Sequence, residues 1–201
     1  DGRFQLESYI HDLIYPMRTS SDDMPYDSHN LWLLDEKLAY CSYISSDIPF
    51  NNDRSEGRTD IMILDNPVAV SEGQNDGTEF DTIVIFEIKR PMRNDYTDAN
   101  NPIVQLYGYV DKIKTNTMRD KDGRIIHVGE NTKFYLYAIC DVTPNLESVL
   151  RHGGIFKKTP DRLGYYGYND SYNAYVEVLP FDKMINDSQK RNRVLFEKLG
   201  L

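Results

Sequence analysis

The segment TIVIFEIK, residues 82–89, gives the strongest indication of the fold that this 201-residue chain is expected to adopt. Its first part is a run of β-branched and aromatic residues, which is typical of a buried strand. Side chains alternate along a strand, so Glu87 and Lys89 share one face while Ile88 lies on the other. The sequence therefore predicts a core strand that ends in a carboxylate and an ammonium group on the same face.

A second strand is expected at residues 59–64, where TDIMIL combines a polar start with an apolar run. Pairing of the two strands would bring Asp60 and Glu87 together around one small cavity. A hard divalent cation in that cavity would relieve the repulsion between the two carboxylates. Mg²⁺ prefers oxygen ligands and typically takes only one or two protein carboxylates, and the backbone carbonyl of Ile88 is a natural further ligand.

A helix is predicted over residues 103–113, with Asn101 and the proline after it as the N-terminal signal. Gln105 and Tyr109 are four positions apart and therefore share one face of this helix. Packed over the strand end, they could contact a substrate backbone or hold Lys89 in place. Lys89 itself could orient a metal-bound water and offset the charge of a phosphorane-like transition state. These parts suit metal-assisted hydrolysis of a phosphodiester.

The combined pattern of Asp60, Glu87-Ile88-Lys89 and Gln105-x-x-x-Tyr109 resembles the PD-(D/E)XK nuclease superfamily, and its last element resembles the RecB-like branch. The resemblance implies an α/β fold with a restriction-endonuclease-like core. In that core a central mixed β-sheet is flanked by helices in the order αβββαβ. We expect this core over about residues 2–141, followed by an additional C-terminal hairpin and helix over about residues 142–201, all in a single domain.

The same resemblance implies a role for each residue of the pattern. Asp60 and Glu87 are expected to bind Mg²⁺ or Mn²⁺, with Lys89 as the catalytic lysine. Gln105 and Tyr109 are expected to support the site. The implied activity is that of a deoxyribonuclease that hydrolyses phosphodiester bonds.

Two departures from the family pattern and one further residue qualify the match. The residue before Asp60 is Thr59 where the family usually has proline, and a long segment separates Asp60 from Glu87. Family members often carry an acidic residue on the first helix, which makes Glu7 a possible metal ligand and leaves a surface role open. Its i+4 neighbour His11 is expected to lie on the surface.

The composition limits the partners of the chain. Hydrophobic residues make up 40% of it, with 15 tyrosines and 8 phenylalanines, which is enough for the core of one domain over residues 1–201. The net charge of -9 argues against a stand-alone nucleic-acid binder and leaves room for a catalytic module. Arg90 and Arg93 follow the expected metal site, where they could hold phosphates or belong to a solvated loop.

The expected partners follow from these observations. DNA is the expected substrate, with RNA as an open alternative and a homodimer as a possible assembly. Because the chain begins with Asp1 rather than Met, we expect it to be part of a longer protein with an additional N-terminal domain. No apolar run has the length of a membrane span. Cys41 and Cys140 lack metal-type spacing and are expected to be reduced thiols of a cytoplasmic protein.

Periodicity and turn residues predict the remaining elements. They are a helix over 2–15, a loop over 19–30, a strand or helix start at 31–34, a helix over 38–44, a hairpin excursion over 67–80, a turn at 122–123, a strand over 133–140, a helix over 144–150, a hairpin of 164–168 with 174–179, and a helix over 181–199.

Three functions are compatible with the sequence. The first is a metal-dependent DNA nuclease, and the run Glu-Ile-Lys-Arg-Pro at residues 87–91 also resembles nuclease modules of prokaryotic defence proteins. That resemblance implies a role in defence against phage. The second is a catalytically inactive module of the same fold that binds protein or nucleic acid. The third is a small-molecule hydrolase or an unrelated mixed α/β domain.

Overall fold

One mixed eight-stranded β-sheet with helices on both faces forms the described part of the chain. A computed structural model describes residues 7–25, 28–35, 38, 43–53, 58–65, 79–120 and 122–200, without the side chains of 52, 65 and 194–196. The strands are β1 (Thr19–Ser20), β2 (Tyr43–Ser46), β3 (Ile61–Asp65), β4 (Thr82–Ile88), β5 (Lys133–Ile139), β6 (Lys157–Lys158), β7 (Tyr165–Asn169) and β8 (Ala174–Leu179). The helices are α1 (Glu7–Ile14), α2 (Pro102–Lys114), α3 (Pro144–His152) and α4 (Phe181–Leu199).

The strand order across the sheet is β1-β2-β3-β4-β5-β8-β7-β6. Strands β4, β5 and β8 run parallel in the middle, and every other neighbouring pair is antiparallel. Strand β8 therefore lies inside the sheet, between β5 and β7. The predicted α/β class, the mixed sheet and the C-terminal hairpin with its helix are confirmed.

The pairing of β3 with β4 places the two predicted acids. Ile61 lies opposite Phe86 in this antiparallel pair. One step beyond that pair, Asp60 faces Glu87. The predicted hairpin partners are thus the observed ones.

Two hydrophobic clusters fill the space on the two sides of the sheet. One contains Ile83 and Ile85 of β4 and the apolar residues of α2 and α3. The other contains Val84, Phe86 and Ile88 of β4 and the apolar residues of α1, with Met184 of α4. Strand β4 is buried on both faces, as strands in parallel arrangements usually are. By alternation, Glu87 belongs to the face covered by α2.

A buried asparagine fixes the start of α2. The Asn101 side-chain oxygen accepts hydrogen bonds from the N–H groups of Ile103 and Val104, both at 3.0 Å. Its amide donates to the carbonyl oxygens of Thr97 and Asp98 at 2.9 and 3.1 Å. Two helix N–H groups that the helix itself cannot satisfy thus gain a partner. The cap sets where Gln105 and Tyr109 stand over the sheet.

The N-terminal third departs from the sequence prediction. Thr19–Ser20, predicted as loop, forms β1, and Tyr43–Ser46 forms β2 although a helix was predicted over 38–44. The physical reason is pairing with β3, in which Ile44 lies opposite Ile63. Residues 39–42 lie outside the described part. The segment at 31–34 contains a 3₁₀ helix, Leu31–Leu33, rather than a strand.

Most other predictions of elements are confirmed, with three qualifications. The helix predicted over 2–15 is observed over Glu7–Ile14, and residues 2–6 lie outside the described part. The short strand β6 was not predicted, and the excursion over 67–80 falls largely on residues that the structure does not describe. Cys140 is a buried free thiol, whereas Cys41 lies outside the described residues. Within the described residues, no helix has the combined length and apolar character needed to cross a bilayer.

Replacement of the capping residue tests how α2 is anchored. Asn101→Ala is expected to lower the free energy of unfolding by about 1–2 kcal/mol, because Ile103 and Val104 lose their acceptor. The measurement is urea unfolding followed by circular dichroism. Asn100→Ala is the matched control, since Asn100 is an exposed neighbour. Equal effects of the two substitutions would contradict the capping role.

Candidate active site

The predicted acidic pair meets at the end of the central strand. Asp60 directly precedes β3, and its Oδ2 accepts a hydrogen bond from the backbone N–H of Ile88 at 2.5 Å. This bond ties the start of β3 to the last residue of β4. Asp60 is therefore held beside Glu87 by the backbone.

Glu87 and Lys89 form a buried ion pair. Their exposed fractions are only 3% and 5%, and the Lys89 ammonium donates to Glu87 Oε1. The second oxygen, Glu87 Oε2, is buried and has no hydrogen-bond partner among the described residues. Buried polar atoms nearly always have a partner, because leaving one unpaired costs about 1–3 kcal/mol. An orphaned carboxylate oxygen at this place is consistent with a ligand site.

Both carboxyl groups have pKa values above their ordinary range. Burial, followed by the charge of Asp60, raises the pKa of Glu87 to about 7, against the opposing effects of Lys89 and Tyr109. Burial also raises the pKa of Asp60 to about 6, against the hydrogen bond from Ile88 and the charge of Lys89. Raised carboxyl pKa values show that the ionised forms are costly here. A divalent cation would offset that cost.

Helix α1 brings a histidine that the sequence prediction placed on the surface. His11 is 2% exposed, and its Nε2 lies 2.7 Å from the Ser46 hydroxyl. Its Nδ1 lies 3.9 Å from Asp60 Oδ1. Burial lowers the pKa of His11, so the neutral ring is favoured.

The surface prediction for His11 was therefore wrong. A signal was present in the sequence, because Ile10 and Ile14 place their neighbour His11 on the apolar side of α1.

Glu7 lies at the rim of the cluster. It is half-buried, and its Oε2 accepts the backbone N–H of Arg90 at 3.2 Å. Its charge contributes to the raised pKa of Asp60. Helix α1 thus brings a third carboxylate to the edge of the cluster.

Helix α2 places its two polar residues differently. The Tyr109 hydroxyl lies next to the Glu87 carboxylate, and burial, followed by the charges of Glu87 and Asp60, raises the pKa of Tyr109. Gln105 is half-buried one turn earlier. Among the described residues, no hydrogen bond joins its side chain to Asp60, Glu87 or Lys89. The structure therefore brings Tyr109 into the cluster and leaves Gln105 beside it.

The two arginines after β4 occupy different environments. Arg90 is exposed. Arg93 forms an ion pair with Asp95, with 2.7 Å between Nε and Oδ1, and its guanidinium stacks over the ring of Tyr96 at 5.3 Å. Arg93 is thus engaged with its own loop, while Arg90 remains beside the rim.

The oxygen donors at this point are two carboxylates and the Ile88 carbonyl. In the part of the chain that the structure describes, no group of three or more His, Cys, Asp or Glu side chains is arranged to hold a metal ion. Sites for Mg²⁺ commonly use only one or two carboxylates, with water and phosphate as the other ligands. The unpaired Glu87 Oε2 is therefore consistent with a hard cation that keeps several water ligands, and not with a cation enclosed entirely by protein ligands.

These features define an α/β protein in which a buried glutamate, a buried lysine and a half-buried aspartate meet at one end of a mixed sheet. No family model, no curated protein and no solved structure matches the chain. A proposal of function therefore rests on the geometry of the cluster.

The pH dependence of stability tests the burial of Glu87. A carboxyl with a pKa raised on folding adds stability below its unfolded value near 4.5, and this contribution is lost as the pH rises through about 7. Gln stays neutral at every pH. The free energy of unfolding of Glu87→Gln is therefore expected to rise relative to that of the metal-free wild type, by an amount on the order of 1–3 kcal/mol between about pH 5 and about pH 8.

Urea unfolding at several pH values in EDTA measures this difference in the free energy of unfolding. The exposed Glu130→Gln controls for the loss of one negative charge. A difference between wild type and Glu87→Gln that does not change with pH would contradict the assignment.

Proposed function

We propose that this protein is a metal-dependent nuclease that hydrolyses phosphodiester bonds of DNA, on a restriction-endonuclease-like core. The observation that carries the proposal is the buried, unpartnered Oε2 of Glu87 beside Asp60 and Lys89. Stability alone does not account for an orphaned oxygen in such a cluster. The resemblance at residues 87–91 makes defence against phage DNA the setting that we propose.

Asp60, Glu87 and the Ile88 carbonyl would hold Mg²⁺ or Mn²⁺ in this proposal, with Glu7 at the rim as a further candidate. When bound, such an ion polarises a phosphoryl oxygen and lowers the pKa of a coordinated water. The Ile88 N–H keeps Asp60 in place by its hydrogen bond to Oδ2. His11 Nδ1 lies 3.9 Å from the other carboxylate oxygen of Asp60, Oδ1.

Lys89 supplies positive charge where negative charge develops in phosphodiester hydrolysis. Its ammonium is buried and held by Glu87, so it is already oriented before a substrate arrives. Preorganised donors of this kind act strongly in a site that excludes water. Tyr109, next to Glu87, can donate its proton to a phosphate oxygen, and Gln105 can hold the adjacent backbone.

A catalytically inactive module is the second candidate. Two observations favour it: the Lys89 ammonium is occupied by Glu87, and the described residues include no metal-binding group of three or more side chains. Such a module would have no cation site that depends on Glu87. Binding of a metal ion therefore separates the two functions.

Cleavage assays test the nuclease directly. With Mg²⁺ or Mn²⁺ the protein is expected to cut plasmid or linear DNA, and EDTA is expected to stop it. Lys89→Ala and Glu87→Gln are each expected to lower the rate about 10²–10⁴-fold, because charge stabilisation or the metal is lost. Lys133→Ala is the control, since Lys133 is exposed at the far end of the β4–β5 pair. Undiminished cleavage by folded Lys89→Ala and Glu87→Gln would exclude this mechanism.

Calorimetry with Mn²⁺ tests the metal site without activity. Protons compete for Asp60 and Glu87, whose pKa values are raised to about 6 and about 7. Affinity is therefore expected to rise more than about tenfold from about pH 5.5 to about pH 8. Glu87→Gln should abolish the site-specific heat, while Glu130→Gln should retain it. Absence of binding by the wild type at the higher pH would favour the inactive module.

A further inference from the structure

Two arginines converge on one buried aspartate next to the proposed active site. Asp47 is 3% exposed and follows β2 directly. Arg58 Nε lies 2.6 Å from Asp47 Oδ1, and Arg18 Nε lies 3.5 Å from Asp47 Oδ2. That second oxygen is buried and accepts no hydrogen bond from a described residue. The sequence pattern predicts a role for none of these three residues.

Backbone contacts connect this group to the active-site cluster. The N–H of Asp47 donates to the carbonyl oxygen of Asp60 at 2.9 Å. The N–H of Arg18 donates to the carbonyl oxygen of Ser46 at 2.9 Å, and the Ser46 hydroxyl contacts His11. The arginines are therefore fixed beside the residues that hold the proposed cation.

Arg58 also lies within electrostatic reach of Tyr109. Its positive charge lowers the pKa of Tyr109, against burial and the charges of Glu87 and Asp60, which raise it. A phosphate next to the scissile bond would meet this charge.

The backbone at this place is held in an uncommon conformation. Arg18 and Asp47 have φ values of 62° and 52°, in the left-handed region that non-glycine residues rarely adopt. Such a conformation costs about 1 kcal/mol or more for each residue. Strained positions of this kind cluster at functional sites, and here both belong to the same ion-paired group.

The arginine side chains remain available to a ligand. Their exposed fractions are 77% for Arg18 and 48% for Arg58, whereas the carboxylate between them is buried. A guanidinium carries five N–H donors, and the contact recorded between Asp47 and each arginine is at Nε. The remaining donors match the geometry of a phosphate, which arginine binds in a bidentate manner.

We propose that Arg18 and Arg58 form a phosphate-binding pair for the nucleic-acid backbone and that Asp47 is the positioning residue for both. This inference rests on the proposed nuclease function, since it assigns the substrate contacts of that site. The chain has a net charge of -9, so a polyanionic substrate requires local cationic contacts of this kind. Arg18, Arg58 and Asp47 together carry a net charge of about +1. The two guanidinium groups are exposed to solvent, and the carboxylate is buried.

Binding measurements test the pair separately from catalysis. Fluorescence anisotropy of a labelled single-stranded oligonucleotide and of its duplex is measured in CaCl₂ without Mg²⁺ or Mn²⁺. Arg18→Gln and Arg58→Gln are each expected to weaken binding about tenfold and to reduce the slope of log affinity against log salt by about 0.7–0.9. Arg193→Gln is the control, because Arg193 is 78% exposed on α4 and paired with Glu197.

The variant Asp47→Asn separates positioning from simple charge. It makes the site more positive, so an unspecific electrostatic role predicts tighter binding of the oligonucleotides. The positioning role predicts weaker binding, because both arginines lose their anchor. Thermal unfolding of the variant shows whether the fold is kept. Tighter binding by a folded Asp47→Asn protein, or equal effects of Arg58→Gln and Arg193→Gln, would overturn the proposal.

Cleavage kinetics distinguish failure of this inference from failure of the proposed function. In Mg²⁺, Arg18→Gln and Arg58→Gln are expected to raise KM for DNA about tenfold while kcat changes little, since the contact is remote from the reacting atoms. Wild type that binds the oligonucleotide through the arginines without cutting it would refute the nuclease and keep the phosphate pair. Wild type that cuts DNA with an unchanged KM in both variants would refute the pair and keep the nuclease.

Discussion

Glu87 carries a titratable carboxyl group into an apolar environment, and the residues around it compensate for that burial. Strand β4 is buried on both faces, and its end carries a carboxylate that burial would keep protonated. Lys89 compensates on the same face, while Asp60 adds a second negative charge from the neighbouring strand. A charge pair of this kind rarely favours stability over apolar residues of the same size. Its presence at the end of the central strand is consistent with the cation site that we propose.

The sheet and its helices bring these groups together from four places in the chain. Antiparallel pairing of β3 with β4 sets Asp60 opposite Glu87, and the Ile88 N–H closes the junction. The Asn101 cap fixes α2 and hence Tyr109 on the same face. Helix α1 packs on the other face and reaches the edge of the cluster through His11. The position of each polar group therefore follows from strand pairing, the helix cap and apolar packing together.

The sequence predicts those parts of the site that depend on local pattern. Strand β4 and helix α2 have strong periodicity, so Glu87, Lys89 and Tyr109 could be placed before the structure was known. Strand β2 could not, because its four residues owe their conformation to pairing with β3 and not to any strand pattern of their own. No local sequence pattern predicts that Arg18, Asp47 and Arg58 form one group. Its members are 11 to 40 positions apart in sequence and meet only at the edge of the sheet.

The insertion of β8 between β5 and β7 has a consequence for biosynthesis. This strand comes late in the chain, yet it pairs along nearly the whole length of β5. Until residues 174–179 have left the ribosome, one side of β5 is an open row of backbone donors and acceptors. Such edges recruit other nascent chains, and contacts between distant segments slow folding. A chain that stalls before this point is therefore expected to aggregate more readily than one in which β8 has paired with β5.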